Sequence, residues 1–432
     1  MNVAIAGYGI EGKANLAYWL AKGARVSVLD EKEISEPLPD GVAVVTGPEA
    51  FANLEGYDLV IRTASLRPGK LSSARKIWSA TNEFFAECPA PIIGVTGTKG
   101  KGTTSSLTAT MLRAAGKTAH LVGNIGVPAL EVLPTIKPTD VVVFEMSSFQ
   151  LWDLEKSPHV AVVLMVEPDH LDVHAGMDDY LAAKAQIALH QAAYDCVVYH
   201  PTNELSERVA KGGDGRKIRY GTVEDRGVYV ISNTFFVQGQ QICGVDIMQI
   251  PGAHNLENAC AAMTAVLVYD ESIPFETLAL GLKSFTGLPH RLKFIREVNG
   301  ARYYDDNYSS ASGAAVAAMR SFSQPEILIM GGYDKGIEFG ALAQAVKEQD
   351  NIKRIILIGQ TKQKIAAALD QVGKQDIYEL SSETELAPIV RRAHVLAGTG
   401  DVVIMSPGCA SFDMFKNFSD RGEQFIKLVE GL

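Results

Sequence analysis

An apolar run, Ile92-Ile93, passes into Gly94-Val95-Thr96-Gly97-Thr98-Lys99-Gly100-Lys101-Gly102-Thr103-Thr104-Ser105-Ser106, after which Leu107, Met111 and Leu112 recur at helical spacing. A strand, a glycine-rich turn and a helix N-terminus in that order aim backbone N–H groups and the helix dipole at an anion. The glycines let the backbone approach a phosphate chain, Lys101 can reach its outer phosphates, and Thr103 or Thr104 can offer a hydroxyl to magnesium. Gly97, Thr98, Lys99, Gly100 and Gly102 complete the cradle. A plain strand-to-helix turn is the alternative, but it would not need a lysine between glycines followed by consecutive hydroxyls. The usual phosphate-loop spacing is not met, because the glycine expected five residues before Gly100 is Val95.

What the loop does match, T-G-T-x-G-K followed by hydroxyl residues, resembles the Mur ligases and the folylpolyglutamate synthases, ATP-dependent enzymes that join an amino acid to a carboxylate. Gly102, between the lysine and the hydroxyls, is closer to the folate enzymes, so both families stand at this point.

The 432 residues suggest two to four domains, and 47% hydrophobic with 21% charged residues is ordinary globular composition. A net charge of −10 without a lysine/arginine block argues against nucleic-acid or membrane-surface binding. The five cysteines, Cys88, Cys196, Cys243, Cys260 and Cys409, are far apart and lack C-x-x-C spacing, which favours reduced cytosol over a disulfide framework. The chain opens directly on a strand, and no run is long enough to span a bilayer. A soluble, unprocessed, cytoplasmic monomer is expected.

Residues 3–30 read strand, turn, helix, strand. Val3 to Ala6 leads into Gly7-Tyr8-Gly9-Ile10-Glu11-Gly12, then a helix through Leu16 and Leu20, then Val26 to Leu29 ending at Asp30. That fits the dinucleotide fingerprint, with an acid placed for a ribose hydroxyl. A dehydrogenase is one reading, although the next 60 residues offer no evident acid or base for hydride transfer. The Mur ligases put a Rossmann-like domain here that holds the uridine diphosphate of their substrate, and the resemblance implies that Ile10, Glu11, Asp30 and Lys32 line it. The family's Ser-Pro-Gly or Asn-Pro-Gly turn is Arg67-Pro68-Gly69 in this chain.

Glu87-Cys88-Pro89-Ala90-Pro91 reads as a linker. Beyond the phosphate loop come Val122-Gly123-Asn124-Ile125-Gly126 and the strand Val141 to Phe144, which ends on Glu145, placed to reach a metal beside the phosphates. The strand Val160 to Met165 ends in Glu167-Pro168-Asp169-His170-Leu171-Asp172-Val173-His174. Five acids and imidazoles in eight residues suit a metal or phosphate-transfer loop, with His170 the preferred ligand and His174 a satisfied or solvated histidine. In the helix that follows, Leu181, Ala185 and Ala188 are expected to form the apolar face. Lys184 taken alone reads as a snorkelling surface lysine. The Mur resemblance instead implies a carbamylated Lys184, whose carbon dioxide adduct is an oxygen ligand for magnesium. Residues 218–247 read as strands and turns of the scaffold.

Pro251-Gly252-Ala253-His254-Asn255-Leu256-Glu257-Asn258 opens an alanine-rich helix. The resemblance turns Asn255 and Asn258 toward the nucleotide, while helix capping alone would account for Asn255. Arg291 matches a family arginine that approaches the ATP phosphates. Strands at 326–330, 354–358 and 402–405 alternate with helical patterns, so the last segment reads as another parallel α/β unit. Tyr304-Asp305-Asp306-Asn307-Tyr308-Ser309-Ser310 stands where the family has D-S-K-A-T-N. It keeps Asp306 as a nucleotide contact but sets Tyr308 in place of a lysine and Ser310 in place of a threonine. Gly331 to Gly336 and Ser406 to Phe418 resemble the family branch that adds D-glutamate, which implies that Lys335, Ser411 and Phe418 hold the incoming amino acid.

The resemblance covers the whole chain, whereas the folate enzymes begin near their phosphate loop. It implies three α/β domains: a Rossmann-like domain at 1–90 for the UDP substrate, a central P-loop ATPase-type domain at 91–290, and a C-terminal Rossmann-like domain at 291–432 for the amino acid. Catalysis would rest on Lys101, Lys184, His170 and Arg291. ATP and two magnesium ions, bound by Thr103, Glu145, His170 and modified Lys184, would serve D-glutamate addition to UDP-N-acetylmuramoyl-L-alanine, with Asn124 on that substrate. The changed loop at Tyr308 leaves L-glutamate open, and a nucleotide-gated binding protein is the non-enzymatic alternative.

Overall fold

A computed structural model describes every residue except Gly126, so the end of the Val122–Gly126 stretch lies outside the described residues. The chain forms two compact units, Met1–Ile247 with Leu256–Leu282, and Met248–Asn255 with Lys283–Leu432.

The first unit begins with a five-stranded sheet of β1 (Asn2–Ala6), β2 (Arg25–Asp30), β3 (Ala43–Thr46), β4 (Leu59–Arg62) and β5 (Ile77–Ser79). Its order is β3-β2-β1-β4-β5, and every pairing is parallel. Alternate side chains serve opposite faces: Val3, Ile5, Val26 and Val28 pack with Leu16 and Trp19, while Ala4, Ala6, Leu29 and Val60 pack with Phe51, Leu54 and Leu71. The helix Ile10–Ala21 starts so close to β1 that a Cβ on Gly12 would lie 2.2 Å from Gly7 O, which restricts that position to glycine.

The second sheet comprises β6 (Ile92–Thr96), β7 (Ala119–Gly123), β8 (Val141–Glu145), β9 (Val160–Val163), β10 (Cys196–Tyr199) and β11 (Arg216–Arg219). It is parallel throughout, in the order β11-β10-β9-β6-β8-β7. Strands β6, β8 and β9 are buried over their whole lengths. Their near-continuous apolar runs are what a parallel sheet covered on both faces requires. A small antiparallel sheet, β12 (Val228–Ile231), β13 (Thr234–Val237) and β14 (Gln240–Gly244), completes the unit.

In the second unit β15 (Lys293–Val298), β16 (Ala301–Asp305), β17 (Glu326–Gly331), β18 (Ile352–Ile358), β19 (Tyr378–Leu380) and β20 (Val402–Met405) order as β15-β16-β20-β17-β18-β19. The expected parallel arrangement holds except at one edge, where β15 runs antiparallel to β16. The turn between them is Asn299-Gly300, with φ of 52° and 80°. Two positive φ values at Asn-Gly form the hairpin turn that suits strand twist.

Among the described residues no helix is long and apolar enough to cross a membrane. All five cysteines are free thiols.

Candidate active site

Strand β6 lies between β8 and β9, so the segments leaving their carboxyl ends share one edge of the second sheet. Ligands gather at such edges in open α/β sheets. The phosphate loop leaves β6, Glu145 ends β8, and the acid- and histidine-rich segment follows β9. The loop runs through Gly97 and Gly100 into the helix Lys101–Ala114. Gly100 has φ of 83°, and a Cβ there would stand 2.3 Å from Asn258 Oδ1. Thr104 donates to the same oxygen at 3.3 Å, so Asn258 lies against the loop. Lys99 is exposed, 3.8 Å from Glu167. Gly102 is buried on the helix and Thr103 is half-buried.

Two lysines converge on one carbonyl. Lys101 Nζ donates to Gly97 O at 3.1 Å and Thr98 O at 3.0 Å, and Lys184 Nζ donates to Gly97 O at 2.8 Å. Lys184 is only 1% exposed, on the buried side of the helix Met177–Leu189 with Tyr180, Leu181, Ala183, Ile187 and Ala188. The apolar face expected from the sequence needs correction: Ala185 is half-exposed, while Lys184 itself points inward. Burial, and then the neighbouring Lys101 cation, push the Lys184 ammonium well below the ordinary lysine range. The same lysine lies 4.7 Å from the ring centroid of Tyr180, whose hydroxyl is 3.0 Å from Thr98 Oγ1. Sequence reasoning passed over Tyr180, although it precedes Lys184 by four residues and so shares its helix face.

Glu145 is buried and accepts from Asn124 Nδ2 at 3.0 Å. His174 is satisfied on both sides, Nδ1 to Asp179 at 2.9 Å and Nε2 to Ser148 at 2.9 Å. Burial lowers its pKa. His170 is half-exposed with φ of 53°, its ring 5.0 Å from that of Phe149. Among the described residues no three His, Cys, Asp or Glu side chains gather into a metal cage. Thr103 and Glu145 are oxygen donors, and oxygen donors suit magnesium that keeps phosphate and water among its ligands.

In the first sheet Asp30 closes its own loop, accepting from Tyr8 N at 2.7 Å and Lys32 N at 2.9 Å. The Lys32 side chain is exposed, as is Ile10. Glu11 accepts from Ala64 N at 2.8 Å, and burial raises its pKa. A cavity of about 270 Å³ is lined by Ile10, Glu11, Asn15, Asn124, Leu130 and Gln150. The structure thus gathers Ile10, Glu11 and Asn124 but leaves Asp30 and Lys32 out of that lining. Asn15, missed from the sequence, is fully buried, and its Oδ1 has no partner among the described residues.

Asn255 is no N-cap. The helix starts at Ala253, so Asn255 sits inside its first turn and donates to Pro251 O at 2.6 Å.

In the second unit β16, β20 and β17 are neighbours, and their carboxyl ends bring together the 305–310, 406–418 and 331–336 segments. Asp306 is buried, accepting from Ser309 at 2.5 Å, Ser406 at 2.6 Å and Leu292 N at 3.0 Å. Its burial outweighs these bonds and lifts its pKa to about 6. Arg421, unremarked in the sequence, is fully buried and donates to Asn307 Oδ1 at 2.7 Å. Lys335 is exposed, its Nζ 5.8 Å from the Phe412 ring, and the adjacent Ser411 is buried. Phe418 packs on Tyr308. Arg291 is exposed with its guanidinium over the same Tyr308 ring.

Residues 95–266 match the Mur ligase middle domain, and residues 290–409 match the Mur ligase glutamate ligase domain. The UDP-N-acetylmuramoylalanine–D-glutamate ligase of Clostridium kluyveri is 35% identical over 447 aligned positions, covering 100% of this chain and 96% of the relative. The corresponding ligase of Acetivibrio thermocellus is 36% identical with the same coverage. The fold is shared with UDP-N-acetylmuramate-alanine ligase MurC from Thermotoga maritima (TM-score 0.63, 18% identity, 100% and 99% coverage). It is also shared with MurF ligase from Thermotoga maritima in complex with ADP (TM-score 0.61, 17% identity, 99% and 94% coverage). With both family models matched in order and a relative at this identity over its full length, the chain belongs to the Mur ligase family.

Proposed function

We propose that this ligase uses ATP to join D-glutamate to the carboxylate of UDP-N-acetylmuramoyl-L-alanine in peptidoglycan precursor synthesis. The terminal phosphoryl group of ATP passes to the carboxylate oxygen, giving an acyl phosphate and ADP. The amine of glutamate then attacks the acyl carbon, and inorganic phosphate leaves with formation of the amide. Negative charge gathers first on the phosphoryl and then on the acyl oxygens, so the chain's contribution is chiefly electrostatic. Lys101 supplies a cation at the phosphate loop, and Arg291 is assigned to the phosphates as well. The backbone of Gly97 to Gly102 cradles the nucleotide, with Asn255, Asn258 and Asp306 on its side.

Magnesium, as two ions, would neutralise phosphate charge when bound. Thr103, Glu145, His170 and a carbamylated Lys184 would hold it. A lysine in this setting is suited to that modification because a neutral amine, not an ammonium, adds carbon dioxide. The observation that carries this reading is the pair of lysines on Gly97 O, one of them buried and held well below the ordinary lysine range by that burial and by Lys101. Ile10, Glu11, Asp30, Lys32 and Asn124 are assigned to the UDP substrate, and Lys335, Ser411 and Phe418 to glutamate. Domains at 1–90, 91–290 and 291–432 fit the three large sheets, each drawn from one of these segments. A cytoplasmic monomer completes the proposal, and the free thiols suit a reducing compartment.

The test is phosphate release with the UDP-linked precursor, ATP, magnesium and a panel of amino acids. Turnover dependent on D-glutamate supports the reading, and ATP hydrolysis indifferent to every amino acid rejects it.

A further inference from the structure

The loop after β16 is tied down from Asp305 to Asn307 and again at Ser309, while the Tyr308 side chain is left outside. Asp305 is bonded to His290 Nδ1 at 2.7 Å and accepts from Asn307 Nδ2 at 2.7 Å. Asp306 is held by Ser309, Ser406 and Leu292, and Asn307 by the buried Arg421. The Tyr308 backbone N–H donates to His290 O at 2.8 Å, yet its side chain projects outward and the residue is 47% exposed. There the ring has two ordered neighbours. The Arg291 guanidinium carbon lies 4.0 Å from the ring centroid, and the Phe418 ring meets it edge-on at 5.2 Å and 84°. Phe418, itself 40% exposed, also meets His290 edge-on at 6.0 Å.

Three partly exposed side chains stacked in series, Arg291 before β15, Tyr308 on the loop after β16 and Phe418 at the start of the helix Phe418–Glu430, add little to a core. What they gain is fixed direction. A guanidinium over an aromatic face is attracted by the ring quadrupole, and an edge-to-face pair is directional as well. We propose that Tyr308 is a positioning residue: one face of its ring holds the Arg291 guanidinium, and its contact with Phe418 sets that ring. This rests on the ligase reading, in which Arg291 serves the nucleotide phosphates and Phe418 the amino acid. A cation at position 308 would repel Arg291 where the phenol ring holds it.

The test compares Tyr308→Phe, Tyr308→Leu, Arg291→Ala and the Arg291→Ala/Tyr308→Leu double variant. The readouts are KM for ATP and for D-glutamate, kcat, thermal midpoint, and ADP affinity by calorimetry. Tyr308→Phe keeps both contacts and should stay within about twofold of wild type throughout. Tyr308→Leu should raise both KM values about fivefold, the size of a partly exposed cation–π contact, without shifting the thermal midpoint. In the Arg291→Ala background the leucine change should add nothing to KM for ATP. Leucine and phenylalanine variants with equal KM values overturn the proposal, as does a leucine effect undiminished without Arg291. If the wild type proves inactive with D-glutamate, the ligase reading falls separately. ADP affinity then decides: it upholds the proposal if Tyr308→Leu weakens it and Tyr308→Phe does not, and overturns it if the two bind equally.

Discussion

Lys184 and Glu326 are both buried ionisable groups whose surroundings disfavour charge. Lys184 donates to Gly97 O, and the proposal that it is carbamylated makes a sharp demand. Lys184→Ala should lose nearly all turnover, and a small carboxylate such as formate at high concentration should restore part of it by returning the oxygen ligand. An alanine variant near wild-type rate, or one no carboxylate can rescue, would remove the carbamate from the mechanism. Glu326 stands at the start of β17, with Asn351 Nδ2 3.2 Å from one carboxyl oxygen and no partner among the described residues for the other. Burial pushes its pKa up to about 8. Between roughly 4.5 and 8 the folded chain holds a proton that the unfolded chain has released, so stability falls as pH rises through that window, by at most about 1.4 kcal/mol per pH unit. Urea midpoints at pH 5.5 and 7.5 should therefore diverge more for wild type than for Glu326→Gln, and parallel shifts would count against the buried carboxyl.

At the scale of elements, the end of β4 is fastened to the segment after β8. Arg62, fully buried, donates from Nε and Nη2 to the two carboxylate oxygens of Asp153, both at 2.7 Å, and its remaining donors reach Thr63 O, Leu66 O and Phe149 O. Removing the acid alone would leave an uncompensated buried cation, so Asp153→Ala should cost about 3–5 kcal/mol. Replacing both residues with apolar ones should recover much of it, and denaturant titration of the three chains would show whether it does. Such pairings explain what the sequence concealed. Arg62 and Asp153 are 91 positions apart, and neither carries a local signal of its partner. The strand, glycine turn and helix at 92–114 were legible because apolar residues, glycines and a helical spacing follow one another locally. Strands β6, β8 and β9 were legible because two-faced burial writes unbroken apolar runs. The pattern of its own helix reads Lys184 as an outward lysine, because a charged side chain on an amphipathic helix is ordinarily solvated; the family resemblance singled it out, and its partners at Thr96 and Gly97 show it turned inward. The β15 edge is a different kind of miss, since Asn299-Gly300 is a strong hairpin signal present in the chain from the start.

At the scale of the whole molecule, the proposed activity turns on the choice of amino acid. Lys335 offers a cation and Ser411 a hydroxyl, a pair suited to a side-chain carboxylate, and a site built for that group rejects analogues that leave its own polar atoms unpaired. D-Glutamate should be used at least a hundredfold better than D-glutamine or D-alanine. If L-glutamate proves the better substrate and Lys335→Ala leaves its use unchanged, both the pocket and the named activity are wrong.

The strand order of the second unit has a consequence for how the chain is made. β20, the last strand in sequence, lies between β16 and β17, its Val402 in register with Arg302 on one side and Glu326 on the other. On a ribosome, β16 emerges about a hundred residues before β20 and β17 about seventy, and each waits with one edge open until β20 follows. Pairing over such separations is slow, and unpaired edges invite association. A nascent chain halted between Gly331 and Val402 would thus hold β16 and β17 with one open edge each and lack the strand that joins them, so the interval before β20 emerges is one in which this unit depends on being shielded from its neighbours.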